Sequence, residues 1–131
     1  MPGRQPNYEE AVFVNTPPVR KLPGIDLNQG IRYAGENEEL YMRFLKRFPD
    51  DENMGELCAA LASGDMDTAF VCAHTLKGLA LQLGITALCE PAAVLCDLLR
   101  ARDSELLPRA RAQAAKLDAQ YAQIVRTIRG M

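Results

Sequence analysis

From Asp26 to the C-terminus the apolar residues of this chain recur at three- and four-residue steps, and no segment alternates polar and apolar as a half-buried strand would. That rhythm confines the folded part to packed helices. Apolar residues make up 48% of the chain but aromatics only 6%, with no Trp, so Leu and Ala carry the core, and both favour helix over sheet. A length of 131 residues suffices to close one hydrophobic core without disulfide or metal staples.

The breaks in the rhythm set the elements. Residues 1–24 hold five of the eight prolines (Pro2, Pro6, Pro17, Pro18, Pro23), which excludes a long helix and predicts an extended N-terminal arm, with Val12, Phe13 and Val14 as apolar side chains able to dock on the domain. Asp26 is placed to cap a short helix over LNQGIRYAG, broken by Gly35 and Asn37. ENEELYMRFLKRF follows, with Leu40, Tyr41, Phe44, Leu45 and Phe48 on one stripe and Pro49 as its stop. Asn53 opens MGELCAALASG, which Gly64 closes, and Asp65 opens DMDTAFVCAHTLKGLALQLG, which Gly84 closes. Thr86 is the expected cap of TALCEPAAVLCDLLRAR, where Pro91 lies early enough to be tolerated with a local kink. Ser104 is the expected cap of ELLPRARAQAAKLDAQYAQIVRTIR, with Pro108 in its opening turn. Three or four long helices joined by short loops imply an all-α, antiparallel helical bundle that with its short entry helix occupies residues 25–131, preceded by the arm of residues 1–24.

Function classes narrow in the same way. Fifteen Lys and Arg against 17 Asp and Glu leave a net charge of −2, which provides no basic field for nucleic acid. No apolar run approaches the length of a membrane span, and MPGRQPNYEE lacks the basic-then-apolar layout of a signal peptide, so a cytoplasmic protein is expected. Cys58, Cys72, Cys89 and Cys96 form no Cys-x-x-Cys pair and lie in helix-periodic stretches; they are expected to be small buried hydrophobes kept reduced. Cys89 and Cys96 are seven residues apart and share a face, so a metal- or redox-responsive helical protein is one rival reading.

The one histidine carries the chemistry. At about 100° per residue, Cys72, Leu76, Leu79 and Leu83 fall within about 60° of one another and form a core stripe. His74, Lys77, Gly78 and Leu81 cluster on the opposite side. A neutral imidazole is a competent nucleophile near pH 7. An ammonium at i+3 can offset the charge of a phosphoryl group placed on it. Gly78 at i+4 removes a side chain beside the histidine, at a helix cost of about 1 kcal/mol relative to Ala, which makes sense if another protein must come close. Neither a base-and-orienter pair nor a convergent carboxylate pair accompanies His74 in the local sequence. The site reads as an acceptor served by a partner's chemistry; the bland alternative is a solvated surface histidine beside a solvated lysine.

AHTLKGLALQLG resembles the signature of the histidine phosphotransfer (HPt) family, His-x-Leu-Lys-Gly followed by a small or apolar run and a glycine, matched here by His74, Leu76, Lys77, Gly78 and Gly84. GIDLNQGIRYAGENEELYMRFLKRF is similar to the family's entry segment. ELCAALASGDMDTAFVCAH resembles the turn and approach to the histidine helix, and LCDLLRARD the next helix with its arginine at Arg100. The likeness spans roughly residues 25–105. It implies a four-helix bundle whose His74 takes a phosphoryl group from a receiver-domain aspartate and passes it to another in a two-component phosphorelay. Lys77 would stabilise the group, and Gly78 would clear room for the receiver. Leu81, Gln82 and Arg100 would join the partner-binding surface. Receiver domains and a hybrid or sensor histidine kinase are the implied partners, and the receiver, not this chain, would supply the acidic pocket and Mg²⁺; no cofactor of its own is implied. With no glycine-rich phosphate loop, the chain is not expected to phosphorylate itself from ATP.

Two positions depart from the family pattern. Leu79 stands where a small Ser or Ala is frequent, and Cys96 where many members place a Glu or Gln facing the histidine helix. The second leaves the orienter of the imidazole open, with Gln82 as a candidate. A rival within the same fold is a binding module that docks a receiver without being phosphorylated.

Overall fold

The computed structural model describes residues 21–131. Most of the arm, residues 1–20, and with it Val12, Phe13 and Val14, lies outside the described residues. The chain runs as a two-stranded ribbon, β1 (Lys21–Leu22) and β2 (Ile25–Asp26), then α1 (Leu27–Tyr33), α2 (Glu38–Arg47), α3 (Asn53–Ser63), α4 (Met66–Leu83), α5 (Thr86–Arg100) and α6 (Leu107–Arg129). The all-α class holds. Helices α3 to α6 form the bundle, with α3 on α4, α4 on α5, α5 on α6, and α6 back on α3. Leu57, Leu76, Leu95 and Leu117, one from each bundle helix, are fully buried. Each such side chain contributes about 2–3 kcal/mol through the water it leaves.

Side-chain caps start three helices where Asp and Asn stand before the apolar rhythm. Asp26 accepts from the Gln29 amide, Asn37 from the Leu40 amide, and Asp65 from the Thr68 amide. The Thr68 hydroxyl also donates to Asp65, and these bonds hold its carboxyl below the usual carboxylate range. Two expected caps fail. Thr86 is already the first residue of α5, and its hydroxyl donates to the Gly24 carbonyl at 3.3 Å. Ser104 yields to its neighbour Asp103, whose carboxylate accepts from the Glu105 amide and starts a 3-10 turn before α6. At α3 the first amide is met by Asp51, which also takes the Asn53 side-chain amide.

The stripe expected along α2 is narrower than its sequence suggests. Tyr41, Leu45 and Phe48 are buried, Leu40 is half-buried, and Phe44 is exposed. A helix laid over the end of a bundle, rather than within it, has only one narrow side to bury. On α4 the buried face comprises Ala69, Cys72, Ala73, Leu76, Ala80 and Leu83, while Leu79 is only half-buried at its border. Small alanines bring α3 and α5 against α4. Among the cysteines, Cys72 and Cys96 are buried, Cys89 is half-buried and Cys58 is exposed, so the expectation of four buried thiols fails at Cys58 and in part at Cys89.

The ribbon and the two short helices secure one end of α4. An α-helix leaves its last carbonyls without intrahelical donors. Here the Asp26 amide donates to the Gly84 carbonyl at 2.7 Å, the Tyr41 hydroxyl to the Leu83 carbonyl at 2.7 Å, and the Gln29 side chain to the Leu81 carbonyl at 3.4 Å. Residues 21–24, assigned to the arm from sequence, thus belong to the domain. Pro23 and Gly24 turn the chain so that Leu22 pairs with Ile25, and the Gly24 carbonyl accepts from the Ala87 amide. Two-residue strands made by turn chemistry leave no hydrophobic alternation to read.

Candidate functional site

His74 stands midway along α4 on its exposed face, opposite the buried alanines and leucines. The wheel places it there because the residues at 72, 73, 76 and 80 face the bundle. Its imidazole makes no hydrogen bond to any described residue, so neither ring nitrogen is committed within the domain. Lys77, one turn on, is half-buried, and its charge is felt at Cys96 on α5. A Cβ added to Gly78 would meet nothing within 4 Å, so the glycine leaves a flat, open surface beside the histidine. Leu81 continues that face, 46% exposed.

Arg100 comes to the site from the end of α5. It pairs with Asp97, and its guanidinium carbon lies 5.9 Å from the centroid of the Phe70 ring on α4. The Phe70 ring in turn stands 5.9 Å from the imidazole of His74, with the planes inclined at 35°. Arg102 lies over Phe70 at 4.4 Å. Arg100 and Arg102 thus approach the Phe70 ring beside the exposed histidine, each paired with a carboxylate (Asp97 and Asp67), while Lys77, three residues on, has no ion pair among the described residues.

Cys96 lies beneath this cluster. Burial pushes its thiol up, and the charges of Lys77 and Arg100 pull against that shift. It is fully buried and part of the core, and no described hydrogen bond links it to His74. Gln82 does not take over that role. It is eight residues beyond His74, about 12 Å along the helix, and opens instead onto a groove of 460 Å³ shared with Phe44, Phe48, Leu79 and Leu83. Arg47, Asp50 and Asp51 form the groove's polar rim.

Of the residues singled out from sequence, His74, Lys77 and Gly78 share one stretch of α4, Arg100 approaches it only through the Phe70 ring, and Leu81 and Gln82 lie further along α4. Sequence reading missed Phe70, Arg102 and the groove. Phe70 could have been found from its spacing of four residues before His74, one helical turn. Arg102 reaches the site only through the packing of α5 on α4. Among the described residues no three His, Cys, Asp or Glu side chains stand together to hold a metal ion. No helix among them is long and apolar enough to cross a membrane.

A family model described as the Hpt domain matches residues 39–127, from the first turn of α2 to the last turn of α6, and so contains the whole cluster around His74. Neither a curated protein nor a solved structure matches the chain.

Proposed function

Since the chain belongs to the Hpt domain family, a family of histidine phosphotransfer modules in two-component phosphorelays, we propose that it carries a phosphoryl group on His74 between receiver-domain aspartates. The observation that carries this reading is an exposed imidazole with no hydrogen bond to a described residue, with Lys77 one turn on and open surface over Gly78.

The chemistry asked of the chain is small. An imidazole nitrogen lone pair attacks the phosphorus of a receiver's aspartyl phosphate. The N–P bond forms as the P–O bond to the aspartate breaks, and that carboxylate leaves with the electron pair. Lys77 offsets the charge on the phosphoryl oxygens as they transfer. The receiver brings the acidic pocket and Mg²⁺. Gly78 admits its backbone, while Leu81 and the groove beside Phe44 and Leu79 offer apolar contact edged by charge. Gln82 serves this contact surface. The reverse attack, by a second receiver's aspartate on the phosphohistidine, empties the carrier.

Onward transfer tests the carrier role. Protein loaded with labelled phosphate and freed of its donor should lose the label to an added unlabelled cognate receiver. Label that stays on the loaded protein with every receiver that binds it would show a dead-end acceptor. Failure of any phosphorylated receiver to load the protein, while receivers still bind, would favour the unphosphorylated docking module.

A further inference from the structure

Nothing polar within the described domain fixes the imidazole of His74, yet a nucleophile that must attack in line gains from a fixed ring. The torsion that turns an imidazole about its Cβ–Cγ bond is intrinsically broad. The contact that restricts it here is aromatic. Phe70 lies one turn before His74, with ring centroids 5.9 Å apart and planes inclined at 35°, within the range of favourable aromatic pairs.

Phe70 is itself held. The Arg102 guanidinium covers its ring at 4.4 Å. Arg102 is pinned at several points: its Nε donates to Asp67 at 2.7 Å, and its terminal nitrogen donates to the carbonyls of Arg100 at 2.9 Å and Leu99 at 3.3 Å. Its backbone is left-handed, with φ 53°, a conformation unfavourable for a residue with a Cβ. The strained residue is the one whose side chain returns across the gap between α5 and α4 to reach Asp67 and Phe70.

We infer that Phe70 is a positioning residue for His74, an aromatic wall clamped by Arg102 and Asp67 that holds the imidazole in the orientation from which it attacks. The inference rests on His74 being the phosphoacceptor. It assigns to an aromatic stack the orienting role that the Cys96 thiol, buried in the core, does not take through any described hydrogen bond.

The test compares wild type with Phe70→Leu, which keeps apolar bulk without a ring, Phe70→Tyr, which restores the ring, and Arg102→Gln, which removes the clamp. Single-turnover transfer from a phosphorylated receiver, over a range of receiver concentrations, separates the limiting rate from the half-saturating concentration. Proton NMR of the imidazole ring protons reports the ring current of Phe70. Phe70→Leu should lower the limiting rate roughly three- to tenfold with half-saturation unchanged, and should shift the imidazole protons toward free-histidine positions. Phe70→Tyr should restore both, and Arg102→Gln should move both the same way by less. A purely structural role would change melting temperature without this pairing of rate and ring current. A Phe70→Leu protein that transfers at the wild-type limiting rate overturns the inference, whatever its spectrum. A wild type that accepts no phosphate from a receiver that binds it fails earlier, at His74 itself, and removes the role with its premise.

Discussion

Gly84→Ala should destabilise the protein by about 3 kcal/mol or more. Gly84 ends α4 with φ 70°, where a Cβ costs about 1 kcal/mol before any contact is counted. The added Cβ would also overlap the Asp26 carbonyl oxygen and stand 3.0 Å from the Gly30 amide nitrogen. Neither neighbour is free to yield. Asp26 donates its own amide to the Gly84 carbonyl and caps α1, and Gly30 lies under the Tyr41 ring. The ribbon and α1 would have to lift from α4, releasing the bonds that satisfy its terminal carbonyls. For a chain of this size the melting temperature should fall by about 10 °C. Gly55→Ala is the contrast. Gly55 lies in α3 with nothing within 4 Å of an added Cβ, so alanine there should stabilise by about 0.5–1 kcal/mol. Paired thermal melts check both; equal melting temperatures for the two variants would refute the docking account of α4.

Lys77→Ala should slow phosphoryl transfer to and from His74 about 10- to 100-fold while leaving the fold intact. Lys77 stands one turn from His74 and is half-buried, which limits the water that would otherwise screen its charge. Deleting a charge aimed at a transferring group costs rate more than affinity, so receiver binding should change little. Lys77→Arg should recover part of the loss, because charge is kept and geometry is not. Rapid-quench transfer from a labelled receiver gives the rates, and Lys116→Ala, an exposed change on α6, serves as the control. Equal rates for Lys77→Ala and Lys116→Ala would show that Lys77 is only a solvated charge.

How much of this could be read from the chain depends on the range of the interaction. Features set within one helical turn were legible. Asp26 caps the helix it precedes, Asp65 opens its own, Gly64 and Gly84 end theirs, and the exposed side of α4 carries His74, Lys77, Gly78 and Leu81, whereas Asn37, read as a break, is itself the cap of α2. Where two local signals competed, the reading went astray: Asp103 outbids Ser104 as a cap, and the Thr86 hydroxyl is drawn to Gly24, 62 residues away. Periodicity shows which residues could share a face but not how wide a face the fold will cover. Phe44 and Leu79 were therefore assigned to the core, yet border an open groove, and Cys58 faces solvent. The clamp on Phe70 was least legible, because Asp67 and Arg102 meet across 35 residues only after α5 has packed on α4. That is also why Gln82, near in sequence, was considered as an orienter of the imidazole when the described contact comes from Phe70.

The most direct measurement of the central claim is transfer of labelled phosphate from a phosphorylated receiver to wild type and to His74→Gln, with receiver binding measured for both. Label on wild type alone, lost in acid and kept in base as expected for a nitrogen–phosphorus bond, with binding equal for the two proteins, is the result expected. Label of equal amount on His74→Gln, or label on wild type that survives acid, would contradict His74 as the carrier.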